Sequence, residues 1–326
     1  HSFISDHRDI KTLGHYAYVV SEARNHGLQI FDLTRLRDSP AETVFDADAH
    51  FNAFSGAHNI AINEETETAY VVGSSRCSGG LYIIDLSTPD DPVFAGCYAG
   101  DGYTHDTQCV IYWGPDPDYA GSEICFNSNR DSLTIVDVSD RSNPLLIRRV
   151  SYPGVGYVHQ GWLSEDHRHF ILDDELDELR YGHKTRTYVW DVSDLDTASL
   201  ISVHEGETES SDHNLYIHAN HVYEANYTSG LQILRSGNLD EGELLEVAYF
   251  DTVPGTDEAG FTGAWTAYPY LESGTILVSD TRRGLFLLRA DLTAIPECDD
   301  GLDNDGDGAI DFPDDTDCRS LEDQEE

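Results

Sequence analysis

One short segment recurs six times along this chain, and that recurrence limits the fold more than any single motif. It reads Gly27-Leu-Gln-Ile-Phe-Asp32, Gly80-Leu-Tyr-Ile-Ile-Asp85, Ser132-Leu-Thr-Ile-Val-Asp137 and Arg186-Thr-Tyr-Val-Trp-Asp191, with weaker copies at Gly230-Leu-Gln-Ile-Leu-Arg235 and Gly284-Leu-Phe-Leu-Leu-Arg289. The last residues of successive copies stand 53, 52, 54, 44 and 54 positions apart. Another β-branched and aromatic run precedes each copy, such as Tyr16 to Ser21 or Glu123 to Asn127. A further strand-like piece, such as Leu145 to Arg149, follows many of them beyond turn residues like Thr88-Pro-Asp-Asp-Pro92. Four short strands per repeat of about fifty residues, with no helical period between them, predict an all-β β-propeller. Six four-stranded blades are expected at about 6–50, 51–100, 101–152, 153–206, 207–252 and 257–290, inside a propeller spanning 1–292. The sixth repeat offers only three strand candidates, and the four residues from Phe3 to His7 reach about 14 Å, too short to cross a blade. The expectation is a missing seventh, N-terminal blade, or a closing strand supplied by another chain.

Aligning the repeats at their first strand brings Asp6-His7-Arg8, Ala57-His58-Asn59, Thr104-His105-Asp106, Val158-His159-Gln160, Asp212-His213-Asn214 and Ala264-Trp265-Thr266 into register. First strands line a propeller's channel, so five imidazoles and an indole are expected at one level. His7, His58, His105, His159 and His213 are candidate ligands for a transition metal on the propeller axis, with Asp106 as an oxygen ligand or orienting group. The competing reading makes each histidine a structural bond to the neighbouring blade, which would recur equally well without a ligand. The ends of the second strands add Glu22, Asn129, Glu175, Asn226 and Asp280 near one mouth, where turn and cap roles also explain them. The acidic stretch from Asp173 to Glu178, with His183 nearby, is expected as a solvated loop, with cation or substrate binding as the alternative. Asp116 and Asp118 lie in a Pro- and Gly-rich insertion that a turn explains without a bound calcium ion.

The C-terminal segment 293–326 carries the most specific motif. Cys298 and Cys318 bracket Asp303-Asn-Asp305-Gly-Asp307-Gly308-Ala-Ile-Asp311-Phe-Pro-Asp314. This is the oxygen-ligand spacing of a calcium loop: Asp303, Asp305 and Asp307 at alternate positions, Gly308 at the sharp turn, the Ala309 carbonyl, then Asp311 and Asp314. Calcium is therefore an expected cofactor of the tail. Among hydrolase signatures there is no G-x-S-x-G, no H-E-x-x-H, no phosphate-binding loop and no G-x-G-x-x-G after a strand.

Charge and cysteine content narrow the setting. Asp and Glu number 61 against 19 Lys and Arg, a net charge of −42, which excludes nucleic acid as a partner because its affinity rests on clustered cations. No apolar run approaches a membrane-spanning length. The chain opens at His1 and contains no Met, from which a processed, secreted protein with its signal peptide removed is expected. Six cysteines agree, with Cys77 and Cys97, Cys109 and Cys125, and Cys298 and Cys318 as sequence-local pairs among the connectivities six cysteines allow.

The motifs Gly56-Ala-His-Asn-Ile60, Gly102-Tyr-Thr-His-Asp106, Cys125-Phe-Asn-Ser-Asn129, Tyr157-Val-His-Gln-Gly-Trp162, Leu172-Asp-Asp-Glu-Leu-Asp177 and Asp212-His-Asn-Leu-Tyr216 occur in one order, with Leu133-Thr-Ile-Val-Asp137 as the core of the repeat. In these the chain resembles the choice-of-anchor B family of LVIVD-repeat propellers, from residue 6 to about 290. The resemblance implies a bacterial, exported protein tethered to the cell envelope, and it brings no catalytic residues. The chain departs from the family at Gln324-Glu-Glu326, which shows no hydrophobic anchor. The resulting expectation is a non-catalytic, surface-exposed binding or structural module stabilised by calcium. The alternatives are a metal-dependent hydrolase or lactonase using His58, His105, His159 and His213 with Asp106 and Glu175, and a subunit of an extracellular homopolymeric assembly.

Overall fold

A computed structural model of the chain describes residues 4–292. The Asp-rich motif, Cys298 and Cys318 lie outside the described residues. Antiparallel meanders make up nearly all the secondary structure. The first sheet runs β1 (Arg8–Leu13), β2 (Tyr16–Ser21), β3 (Leu28–Asp32) and β4 (Ala49–Phe51). The second has β5 (Asn59–Asn63), β6 (Thr68–Val72), β7 (Tyr82–Asp85) and β8 (Val93–Cys97), and the third β9 (Asp106–Ile111), β10 (Glu123–Ser128), β11 (Leu133–Asp137) and β12 (Leu145–Val150). The fourth comprises β13 (Val158–Leu163), β14 (His169–Asp174), β15 (Arg186–Asp191) and β16 (Ser199–Glu205), and the fifth β17 (Asn214–His218), β18 (His221–Asn226), β19 (Gly230–Ser236) and β20 (Leu244–Phe250). The sixth holds three strands among the described residues, β21 (Ala264–Tyr268), β22 (Ile276–Asp280) and β23 (Gly284–Leu288). These are the blades of a β-propeller, and the repeated segment forms the third strand of each.

Two compact units divide the described chain. One holds the residues up to Gly161 with Asp166–Arg168 and Val192–Ser199; the other holds Trp162–Glu165, His169–Asp191 and the described residues from Leu200 onward. In the first unit, the period of two in a strand explains why β6 is buried along its whole length. Ala69 and Val71 pack with Tyr18, Val20 and Ile30 of the first sheet, while Tyr70 and Val72 pack with Cys125 and Val136 of the third. A strand covered on both faces cannot alternate apolar with polar, hence the run Ala-Tyr-Val-Val. Outer strands lose that cover, and β12 is largely exposed. Between third and fourth strands the register slips at Ile83/Ile84, Ile135/Val136 and Ile233/Leu234, one bulge at the same place in three repeats. Each bulge sharpens the twist that turns the outer strand away from its neighbour.

The second unit follows the same rule, with Val222 of β18 against Ile171, Val189 and Leu215, and Tyr223 and Ala225 against Ala264 and Val278. Glu224, between them, is 4% exposed and accepts from Thr187 Oγ1 (2.7 Å) and Asn226 Nδ2 (3.0 Å). Burial holds its carboxyl above the ordinary range. The folded chain therefore keeps a proton that the unfolded chain releases near pH 4.5, and stability falls as pH rises from there towards the folded value. Glu224→Gln should remove this pH dependence and stabilise the protein at pH 8 by about 1 kcal/mol. The amide of Gln can bond the Asn226 Oδ1, which has no partner among the described residues. Urea denaturation of both proteins at pH 5 and pH 8 checks it; an equal pH slope in the two would defeat it.

Candidate functional site

Each first strand begins within one residue of its histidine, or of Trp265 in the sixth repeat, and in the second and third repeats a backbone bond to the end of the second strand fixes the position. His58 N–H donates to Val72 O (3.1 Å) and His105 N–H to Ser128 O (2.8 Å). At Gly73, φ is +59° and a Cβ would stand 2.5 Å from the His58 Cβ, so glycine lets the second strand end against the imidazole. In the first unit four rings form a row. Centroid separations are 5.4 Å from His7 to His58, 4.1 Å from His58 to His105 and 4.2 Å from His105 to His159. His105 and His159 are buried, whereas His7 is half-buried.

The ring nitrogens are already engaged in two patterns. His105 Nδ1 donates to the backbone oxygen of His159 (2.9 Å), the equivalent residue one repeat on. In the second unit His213 Nδ1 donates in the same way to the backbone oxygen of Trp265, again one repeat on. A carbonyl only accepts, so Nδ1 carries the proton, and in the neutral ring the lone pair sits on Nε2. At the His7 end of the row a carboxylate takes this part. Glu22 Oε1 lies 2.7 Å from His58 Nδ1 and Oε2 3.4 Å from His7 Nδ1.

The residue after the histidine also bridges repeats at two places. Asn59 Nδ2 donates to Asp106 Oδ2 (2.6 Å), while Asp106 Oδ1 accepts from Thr107 N (2.6 Å). Asn214 Nδ2 donates to the Trp265 carbonyl (3.0 Å). Burial, the largest influence, pushes the Asp106 carboxyl up to about 7. Its two oxygens thus point at an amide and a backbone N–H.

Of the second-strand residues, Asn129 bonds Thr104, Thr134 and Asp101, Asn226 bonds Glu224, and Asp280 caps the N–H groups of Arg282 and Arg283. Glu175 accepts from Tyr227 Oη (2.7 Å), whose ring lies 4.7 Å from that of His213. Asp116 accepts from the N–H groups of Asp118 (3.0 Å) and Leu195 (2.9 Å), the bonding of a turn.

Two arrangements were not anticipated. Arg130 packs its guanidinium over Tyr103 (4.9 Å to the centroid) and Tyr157 (5.2 Å), and the Tyr157 ring meets His105 edge-on at 5.2 Å. A tyrosine two positions before the histidine in consecutive repeats, Tyr103 and Tyr157, was the available signal. The acidic stretch is the second, and here the expected solvated loop is corrected. Asp173 and Asp174 end β14, Asp177 and Glu178 open a short helix, α1 (Asp177–Tyr181), and all four are buried. Tyr188 of β15, whose Oη donates to Asp177 Oδ2 (2.6 Å), reaches it from outside the stretch, so its composition alone did not reveal the burial.

The sequence matches the LVIVD repeat at residues 68–100 and 127–151, in the second and third blades. No curated protein matches the chain. Among solved structures the chain is similar to a protein from Lactobacillus plantarum (12% identity, TM-score 0.59, covering 86% of this chain and 80% of that one). It is also similar to Kuenenia stuttgartiensis hydrazine synthase (11%, 0.57, 86% and 81%) and to the Cps50 (Swd1) β-propeller domain of Myceliophteria thermophila (10%, 0.54, 85% and 80%). At such identities the likeness is one of fold. The chain is a β-propeller that carries LVIVD repeats.

Proposed function

We propose that this protein is an exported, non-catalytic binding or structural module whose recurring histidines serve the propeller itself. The observation that carries the reading is the Nδ1–H bond from His105 to the His159 carbonyl, repeated from His213 to the Trp265 carbonyl. A bond made twice at equivalent places to a backbone atom is a stitch between repeats. Two disulfides support an oxidising, extracellular setting, and the Asp-rich tail would take calcium there. The face bearing Tyr103, Arg130 and Tyr157 offers the module an aromatic and cationic surface for a ligand.

Changing His105 to Ala removes this bond to the buried His159 carbonyl and should cost about 2 kcal/mol, with bound metal unchanged. Chemical denaturation and elemental analysis of both proteins test this. Loss of a bound transition metal with the imidazole would instead favour a metal site at the recurring histidines, as the hydrolase or lactonase reading requires. One observation favours that alternative: the Glu22 carboxylate orients His58 through Nδ1, as carboxylates orient metal-binding histidines. The assembly reading draws on β23, whose Leu285 and Leu287 are exposed.

A further inference from the structure

Asp177, Glu178 and Asp212 bring three carboxylates into the second unit with 0, 3 and 2% exposure. Taking such groups out of water costs several kcal/mol each unless protons, donors or a cation compensate. Donors compensate only in part. Asp177 Oδ2 accepts from Tyr188 Oη (2.6 Å) and Asp212 Oδ2 from the Asp174 N–H (3.1 Å), but among the described residues no donor reaches Asp177 Oδ1, Asp212 Oδ1 or either oxygen of Glu178, and the Asp177 and Glu178 carboxyls face each other.

His183 supplies an independent pointer. Its Nδ1 donates to the Lys184 carbonyl (2.9 Å), which leaves the neutral ring's lone pair on Nε2, 3.5 Å from Asp177 Oδ2. The Tyr181 ring lies nearly parallel to the imidazole, 6.1 Å away. An imidazole fixed by a carbonyl at one nitrogen and facing a carboxylate with the other is the outer-sphere arrangement of a metal ligand. Ligand atoms of Asp177, Glu178 and His183 all lie within 4.8 Å of one another, near enough for side-chain rotation to bring them onto one ion.

We propose that Asp177, Glu178 and His183 bind one divalent cation such as Zn2+ or Mn2+. Two carboxylates and an imidazole suit such an ion better than Ca2+, which favours an all-oxygen shell. None of the three ligands is one of the recurring histidines or belongs to the Asp-rich motif.

The test uses the full chain, stripped with a chelator, to which Zn2+ or Mn2+ is added alone while stoichiometry and melting are measured. Wild type should bind an equivalent that Glu178→Gln and His183→Gln each lose, and saturation should raise the melting temperature by about 5 °C only where that equivalent binds. A double variant of the tail, Asp305→Asn with Asp307→Asn, should retain the equivalent and the shift, which separates this site from the tail. His183 is only partly buried, so its variant gives a readout even where the Glu178 variant folds poorly. Retention of the wild-type stoichiometry and shift in the His183 variant, or their loss in the tail variant, would overturn the proposal.

Discussion

Replacing Gly96 by Ala should destabilise the protein by about 4 kcal/mol or more, among the largest effects of any single methyl group in the chain. Gly96 lies in β8, the outer strand of the second blade, and a Cβ there would stand 1.6 Å from the backbone oxygen of Arg141, in the turn after β11 of the third. No side chain can rotate away, because the obstacle is a carbonyl. Arg141 is itself held by its guanidinium, which donates to Thr66 O (3.3 Å) and lies 3.8 Å from both Asp85 and Glu123. Relief would require two sheets to separate along an interface that contains Tyr70, Ile83 and Val136. Gly154→Ala serves as the control: φ is +82° there, but nothing lies within 4 Å of the added carbon, so backbone strain alone should cost about 1 kcal/mol. Urea midpoints of the two variants measure the difference. Equal, small losses would mean that the blades are not in backbone contact at Gly96.

Removal of the disulfides should be the next most damaging change, at about 3 kcal/mol for each bridge by the loop-entropy argument. Cys77–Cys97 spans 20 residues and joins the turn after β6 to the end of β8; Cys109–Cys125 spans 16 and crosslinks directly paired residues of β9 and β10. Their environments differ. Cys109 and Cys125 are buried, whereas Cys97 is exposed. Dithiothreitol under native conditions should therefore open Cys77–Cys97 first and reach Cys109–Cys125 only as the protein unfolds. Mass spectrometry after timed alkylation, with denaturation of the paired Cys→Ala variants, would show it. Simultaneous opening of both bridges in the folded protein would contradict the burial argument.

These bridges were legible in the sequence because both are local, and so was the blade pattern, since strands paired in meanders are neighbours along the chain. The recurring histidines could be placed by register alone. What register could not supply was the partner of each ring: the acceptor of His105 lies 54 residues away and is a backbone atom, which leaves no trace in side-chain identity. The acidic stretch was misread for a related reason. Asp173 to Glu178 look like a solvated loop in isolation, and only Tyr188 and Asp212, from later strands and turns, reveal that the chain folds over them. Arg130 between Tyr103 and Tyr157 is a third case, in which residues from two repeats meet although neither repeat alone suggests a binding surface.

The bond from histidine to the next repeat's carbonyl bears on how such a chain grows. Its donor is a side chain that every copy of the unit can encode, while its acceptor is a peptide oxygen that any residue provides, Trp265 as readily as His159. A unit duplicated in tandem therefore arrives with its half of the joint and asks nothing of the sequence beside it. Selection can then diversify the accepting position without loosening the joint, and the number of repeats becomes free to change by gene duplication before any new interface has evolved.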